Sequence, residues 1–531
     1  MRRRIVTDGS KANSLSTRTK PVLILLQLVA AIERPQRLPW RALRIALSSA
    51  RPLLCLLAVG LSMSIVTACA AFRSYHLELG QTLDLVSAGK IDAAIGIHES
   101  YSSDRDEKDL LYYLEKGELL RLAGRYSESQ QAWFEADRRV AVWEEQARLH
   151  PEMLLRDAGS LLINDKTRAY PGQDFEKVML TTRMALNHLA LGEWDEARVA
   201  IKRTHEREAL IATLRAEQIR RSEKAAGESG YTRDFRELNG YPVQTIDSPE
   251  VNALRNSYQN AFSHYLAGFL YEALGETSLA SAGYRQAIEL QPGVALLEDG
   301  LAGLDARQAQ RRKAAANSAM QTDVLVVVET GLAPARRSVN INLPIVKDEE
   351  VFFAPISFPV LQSQVGPAGA REIVVDEAVQ AEGADITSVD LMSRRALKDE
   401  MPWIVLRAVT RATVKVAVQK AASDEEDSRA ARAATKIGSI VTEQADERAW
   451  RSLPAEIAVA RVRVVPGMHD IDVDVGSMQH RFRVKLDGPF AVMSVRQIGT
   501  TAYMSVSPAF SVRATLEQAD KGSDNQSEHR L

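Results

Sequence analysis

Apolar residues follow three successive regimes along the 531-residue chain. Between Pro52 and Val66 they are continuous: PLLCLLAVGLSMSIV holds fifteen residues without a charge, preceded by Arg41, Arg44 and Arg51. From about 75 to 310 they recur every three or four positions between short polar turns, the spacing that lays an apolar stripe along a helix. Beyond about 320 the period shortens. Asp323-Val-Leu-Val-Val-Val-Glu329 has the signature of a buried strand, closed by Gly331 and Pro334. Further strands are expected at Val339–Leu343, Ile356–Leu361, Glu372–Val375, Ile457–Val465, Met468–Val475, Arg481–Leu486, Phe490–Gln497 and Thr501–Val506, with Pro466-Gly467 as a turn. Leu391 to Lys420 reads as a helix broken or kinked at Pro402. The chain is therefore expected to be mostly α, with a helical solenoid over 69–310. A smaller α+β, β-rich domain follows over 320–515, with a polar, disordered tail over 516–531.

Within the helical stretch one unit is complete: AFSHYLAGFLYEALGETSLASAGYRQAIELQP, from Ala261 to Pro292. Gly268 and Tyr271 fall on its first helix and Gly275 at the turn. Ala280, Tyr284 and Ala287 fall on the second, and Pro292 closes the unit. That pattern fits the tetratricopeptide template, a helix–turn–helix of about 34 residues in which small residues let helices approach and an aromatic fills the space between them. A second copy starts near Leu110 (Gly117, Gly124, Tyr126, Trp133, Ala136) and a third near Val178 (Ala185, Gly192, Trp194, Ala197, Ile201). A weaker fourth, around Gly89, Ile91 and Ala94, starts near Tyr75. In such solenoids ligands lie on the concave face of the first helices. By offset that face holds Leu114, Glu118 and Arg121 in one repeat and Phe262, Tyr265, Phe269 and Glu272 in another, a candidate groove for a partner peptide or helix.

The apolar run is too short for a membrane span, which needs about 20 residues, and ends in Val66-Thr67-Ala68-Cys69. This exit looks like a bacterial lipobox, so cleavage before Cys69 and acylation of its sulfur are expected; an ordinary signal peptide that leaves Cys69 free is the alternative. With Ala70 rather than Asp after Cys69, the resemblance to lipoproteins of Gram-negative bacteria implies sorting to the outer membrane, with the body in the periplasm. Each buried acyl methylene adds roughly 0.8 kcal/mol of membrane affinity. A 68-residue leader is long, so either the true start lies downstream of Met1 or the leader is extended. The other cysteine, Cys55, would leave with the leader. Residues 1–68 carry eleven of the 67 Lys and Arg but two of the 69 Asp and Glu, so 56 basic and 67 acidic residues remain beyond position 68, a net charge of -11. So acidic a body repels phosphate backbones and argues against nucleic acid as a partner.

Chemical motifs are absent. The nine histidines form no HExxH, and the chain has no CxxC, GxxxxGK, GxSxG or strand-linked GxGxxG. No metal, cofactor or catalytic residue is assigned. Two polar stretches stand out. NDKTRAYPGQDFE (164–176) holds a Pro171-Gly172 turn, with Asp174 as the expected cap of the helix near Phe175. The cluster Asp446, Glu447, Arg448, Trp450, Arg451 reads as a salt-bridged strand entry.

Four stretches together, YPGQDFEKVMLTTRMALNHLALGEWDEA (170–197), NSYQNAFSHYLAGFLYEALGE (256–276), VVVETGLAPAR (326–336) and DERAWRSLPAEIAVARVRVVPGMHDI (446–471), resemble a family of uncharacterised proteobacterial tetratricopeptide-repeat outer-membrane lipoproteins. The resemblance implies an envelope location and no established activity. The plan is also similar to that of activators of cell-wall synthases. The expected function is a lipid-anchored, periplasm-facing scaffold, not an enzyme, held in the membrane by acylated Cys69 and binding envelope proteins. The alternatives are a glycan-binding or hydrolytic module in 320–515, resting on Asp446 and Arg448, and a purely structural lipoprotein.

Overall fold

The computed structural model describes residues 75–103, 108–149, 170–229, 235–317, 321–347, 350–366, 371–423 and 445–508. The expected signal segment, Cys69, the first part of the 164–176 stretch and the tail lie outside the described residues. Four helical hairpins come first: α1 (Tyr75–Ser87) with α2 (Ile91–Ser100), α3 (Leu110–Leu122) with α4 (Tyr126–Leu149), α5 (Asp174–Leu191) with α6 (Trp194–Ser229), and, after a five-residue α7 (Pro249–Ala253), α8 (Ala261–Ala273) with α9 (Thr277–Leu290). A shorter pair, α10 (Ala295–Ala302) and α11 (Leu304–Asn317), follows.

Two of the hairpins, α3/α4 and α8/α9, share one packing device. A Cβ added at Gly117 would lie 2.2 Å from the Trp133 indole, and one at Gly268 would lie 2.6 Å from the Tyr284 ring. In each case a bare backbone on the first helix receives the aromatic of the second. Gly124 and Gly275, at the turns, have φ of 73° and 78°, left-handed values that side chains other than glycine's disfavour. The helical part is tetratricopeptide-like.

Among the described residues the strands form three sheets. A five-stranded sheet has the order β11-β10-β1-β7-β6, built from β1 (Thr322–Thr330), β6 (Ala384–Ser388), β7 (Glu456–Val464), β10 (Phe490–Ile498) and β11 (Thr501–Val506). Its central strand β1 runs parallel to β10 and antiparallel to β7. A four-stranded antiparallel sheet has the order β5-β4-β8-β9, with β4 (Arg371–Val375), β5 (Val379–Glu382), β8 (Gly467–Val475) and β9 (Met478–Leu486). Two long strands, β2 (Leu332–Lys347) and β3 (Glu350–Gln364), pair in a hairpin. Helix α12 (Val389–Ser423) runs continuously through Pro402 and packs on that hairpin, where Leu397, Met401 and Val405 meet Ile341, Ile356 and Phe358.

Strand β1 is buried on both faces. Val324, Val326 and Val328 face the four-stranded sheet through Ile373, Ile471 and Val473. Leu325 and Val327 belong instead to a core shared with Phe262, Phe269 and Leu270 of the repeats. The resulting order is helices, five-stranded sheet, four-stranded sheet. Among the described residues from Tyr75 onward, the helices and the five-stranded sheet share one core, so no gap in packing falls between 310 and 320. The strand expectations need two corrections. Pro334 does not close the first strand region. It sits within β2, where pairing is irregular between Leu332 and Ala335, and its missing N–H costs no ladder bond. Strands β5 and β6 lie outside the expected set.

Candidate ligand cleft

The concave face of the repeats is covered by the chain's own β part. Leu114, Glu118, Arg121, Phe262, Tyr265, Phe269 and Glu272 are all between 0 and 6% exposed. Phe269 meets Phe490 edge-to-face at 5.5 Å between ring centres, and the backbone N–H of Phe262 donates to Thr387 Oγ1 at 3.0 Å. Arg183 on α5 bridges Glu118 on α3 and Glu329 on β1, all three without exposure. Arg461 on β7 reaches Glu272 at 3.1 Å and Asp323 at 2.7 Å. An open groove at these seven residues is thus corrected: the strands β1, β6, β7 and β10 cover them, and their charged groups are paired both from the sheet and from α5 and α11, as Glu118 is by Arg183, Arg121 by Asn187 and Glu272 by Arg307 and Arg461.

The two polar stretches singled out in the sequence meet instead. Gln173, not Asp174, caps α5; its backbone N–H is accepted by Glu176 Oε2 at 2.8 Å. The same carboxylate accepts the Tyr170 hydroxyl at 2.6 Å, and its Oε1 accepts the backbone N–H of Trp450 at 2.7 Å. Burial pushes the Glu176 carboxyl up against the pull of these donors. One buried acid therefore ties the Tyr170–Gln173 turn to the segment that follows Asp446.

This junction walls a cleft of about 430 Å³ between α4, α5 and α6 on one side and β2, β3, α12 and Ala445–Arg448 on the other. Asp174, in the first turn of α5, pairs with Arg215 of α6 at 2.5 Å and with Lys177 at 3.2 Å. Those two cations hold its carboxyl down to about 2 despite burial. The Lys177 ammonium lies 3.5 Å from the centre of the Trp143 indole, and burial lowers its pKa. Arg448 pairs with Asp446 at 2.8 Å and stands over the Tyr170 ring at 5.3 Å. Glu400 lies 3.5 Å from Arg215 and 3.8 Å from Arg336. The Gln173 amide, oriented to suit both neighbours, donates to Glu400 at 3.0 Å and accepts from Arg336 Nη1 at 2.6 Å. In all, Lys177, Arg215, Arg336, Arg407 and Arg448 line the cleft against Asp174, Glu400 and Asp446. Ile211, Leu214, Pro359, Trp403 and Ile404 supply its apolar surface.

Sequence reasoning found both halves of this wall but not their meeting, nor the contributions of Arg336, Glu400 and Trp403, which sit in runs patterned like ordinary strand and helix. Among the described residues, no group of three His, Cys, Asp or Glu is placed to hold a metal ion, and no helix is long and apolar enough to cross a membrane.

No family model and no curated protein matches the chain. Over 43% of its length it is similar to 98% of a solved tetratricopeptide repeat protein from Parabacteroides merdae ATCC 43184, at 15% identity and a TM-score of 0.13. A similarity that distant carries no argument.

Proposed function

We propose that this chain is an envelope lipoprotein of the proteobacterial tetratricopeptide-repeat kind, acylated at Cys69 and facing the periplasm from the outer membrane, which binds a small ligand in the composite cleft. The lipobox-like exit before Cys69 and Ala70 supports the anchor and the sorting. One observation carries the binding reading: the concave face is filled by the chain's own sheet, while Tyr170–Asp174 and Asp446–Arg448 converge on an open cavity. Its volume falls within the roughly 300–1,000 Å³ usual for small-molecule sites. Envelope proteins remain the expected macromolecular partners. They would dock on outer faces such as the α4 stripe of Phe134, Val142 and Leu149, each at least half exposed. A glycan-binding role is the second reading, favoured by the position of Asp446 and Arg448 beside the Tyr170 ring.

Two measurements test this. The intact mass of protein from fractionated membranes should match a chain beginning at Cys69 plus acyl groups, and this form should vanish in Cys69→Ser; a chain beginning elsewhere defeats the anchor. A photo-crosslinking residue at Trp403 should capture envelope material in living cells, and one at buried Phe269 should not; equal yields at both defeat the cleft.

A further inference from the structure

We propose that the cleft takes a small organic anion through a single carboxylate, with Arg336 as the residue that receives it. This rests on the reading of the cleft as a ligand site and adds the chemistry of the ligand.

Five cations and three carboxylates line the cavity, a surplus of two positive charges, although the chain beyond residue 68 carries a net charge of -11. A cationic cavity in an acidic body concentrates small anions at one place. Most of the lining charges are already matched: Arg215 and Lys177 hold Asp174, and Arg448 holds Asp446. Arg336 is matched less completely than these. It is 8% exposed, and only its Nη1 has a close acceptor, the Gln173 amide oxygen. Its Nη2 stands 3.8 Å from Glu400, beyond hydrogen-bonding distance, and its Nε has no acceptor among the described residues. Nε and Nη2 form one edge of the guanidinium, and that edge matches the two oxygens of a carboxylate. A buried cation with an unfilled edge is unfavourable until an anion supplies the missing acceptors.

Two further features select the anion. The open edge of Arg336 offers two parallel donors, which the two oxygens of a planar carboxylate fill completely. Trp403, Ile404 and Leu214 offer apolar surface, which suits an acid carrying an uncharged body. Both an acidic sugar and a peptide C-terminus present this chemistry.

The test uses the full-length protein in detergent and paired probes read by saturation-transfer NMR and calorimetry. Galacturonic acid is paired with galactose, and N-acetyl-alanyl-alanine with its C-terminal amide; inorganic phosphate is the fifth probe. At least one carboxylate probe should bind about tenfold or more tightly than its neutral partner and more tightly than phosphate, the pair that responds naming the source. Arg336→Lys, which keeps the charge but loses the fork, should lose that discrimination with its melting curve intact; Arg336→Met should lose binding. Equal binding of acid and neutral probe, or discrimination that survives in Arg336→Lys, overturns the carboxylate assignment and leaves the cleft as a site of other specificity. Tightest binding by phosphate overturns it in the same way. No binding by any probe overturns both readings.

Discussion

The carboxylate of Glu115, fully buried on α3, accepts the backbone N–H of Arg451 at 2.7 Å across 336 residues of sequence. It also accepts the N–H of Ser452 at 3.2 Å and the hydroxyl of Tyr75 at 3.0 Å, so one acid joins the first repeats, the start of the described chain and the segment entering β7. Burial outweighs these donors and pushes its carboxyl from the ordinary 4.5 up to about 7. Between those values the folded state keeps a proton that the unfolded chain releases, so Glu115 removes stability as pH rises through that window and nothing further above it. His205, held down to about 4 by burial and stacked on His264, acts oppositely, losing stability as pH falls below 6.5. The difference between variant and wild type is therefore the readout. Glu115→Gln, which cannot ionise, should gain on wild type by on the order of 3 kcal/mol between pH 4.5 and 8 in urea titrations. The amide places donors against donors, but that offset is the same at every pH. Parallel curves would refute the assignment.

Arg183 bridges the carboxylates of Glu118 and Glu329 directly, and the three are out of reach of solvent. Removing it takes from two buried acids their direct ion-pair partner, leaving only the more distant charges of Arg121 and Arg496. Arg183→Met should cost about 3–5 kcal/mol, and the triple variant Arg183→Met, Glu118→Gln, Glu329→Gln should recover part of that loss. Chemical denaturation followed by both far-ultraviolet circular dichroism and tryptophan fluorescence should give one coincident transition, because the bridge crosses from helices to sheet.

Two helical glycines separate packing from propensity. At Gly117 an added methyl meets the Trp133 indole at 2.2 Å, whereas at Gly96 of α2 nothing lies within 4 Å. Gly117→Ala should lose about 1–3 kcal/mol through overpacking. Gly96→Ala should gain up to about 1 kcal/mol from helix propensity alone. Thermal melts that rank the two the other way would show that the aromatic can leave its seat cheaply.

Asp174 contributes to stability through Arg215 and Lys177, and its depressed carboxyl keeps that contribution above pH 3.8 and loses it as pH falls towards 2. Asp174→Asn should be less stable than wild type at neutral pH, with the gap closing on acidification. A gap that stays constant down to pH 2 would place the pairing energy elsewhere.

Much of the helical plan is legible because two of the hairpins repeat a local rule. Gly117 with Trp133 and Gly268 with Tyr284 are sequence-near partners, so spacing alone reveals them. The fate of the concave face is not legible, because its occupants, Thr387, Asp323, Arg461 and Phe490, come from positions at least 50 residues downstream of the faces they cover. Strand β6 escapes notice because its five residues hold only two well-buried side chains, Ile386 and Thr387. The length of β2 escapes because Pro334 reads as a terminator where the ladder in fact slips. The cleft was half visible: the turn at 170–173 and the cluster at 446–451 are each unusual in composition, yet only the contact between Glu176 and Trp450, 274 residues apart, makes them one wall.

The parallel pairing of β1 with β10 fixes when the molecule can be finished. The register runs from Asp323 opposite Phe490 to Thr330 opposite Gln497, so the strand that seats Phe490 on Phe269 is made long after the repeats it covers. The last full repeat is complete 200 residues earlier, at Leu290, and its apolar hollow stays uncovered until β10 has been synthesised. Such a delay exposes a surface that would otherwise associate with whatever apolar segment arrives first. A newly made chain thus has an interval in which its repeats behave like the open receptors their sequence advertises, and completion of the sheet ends that interval.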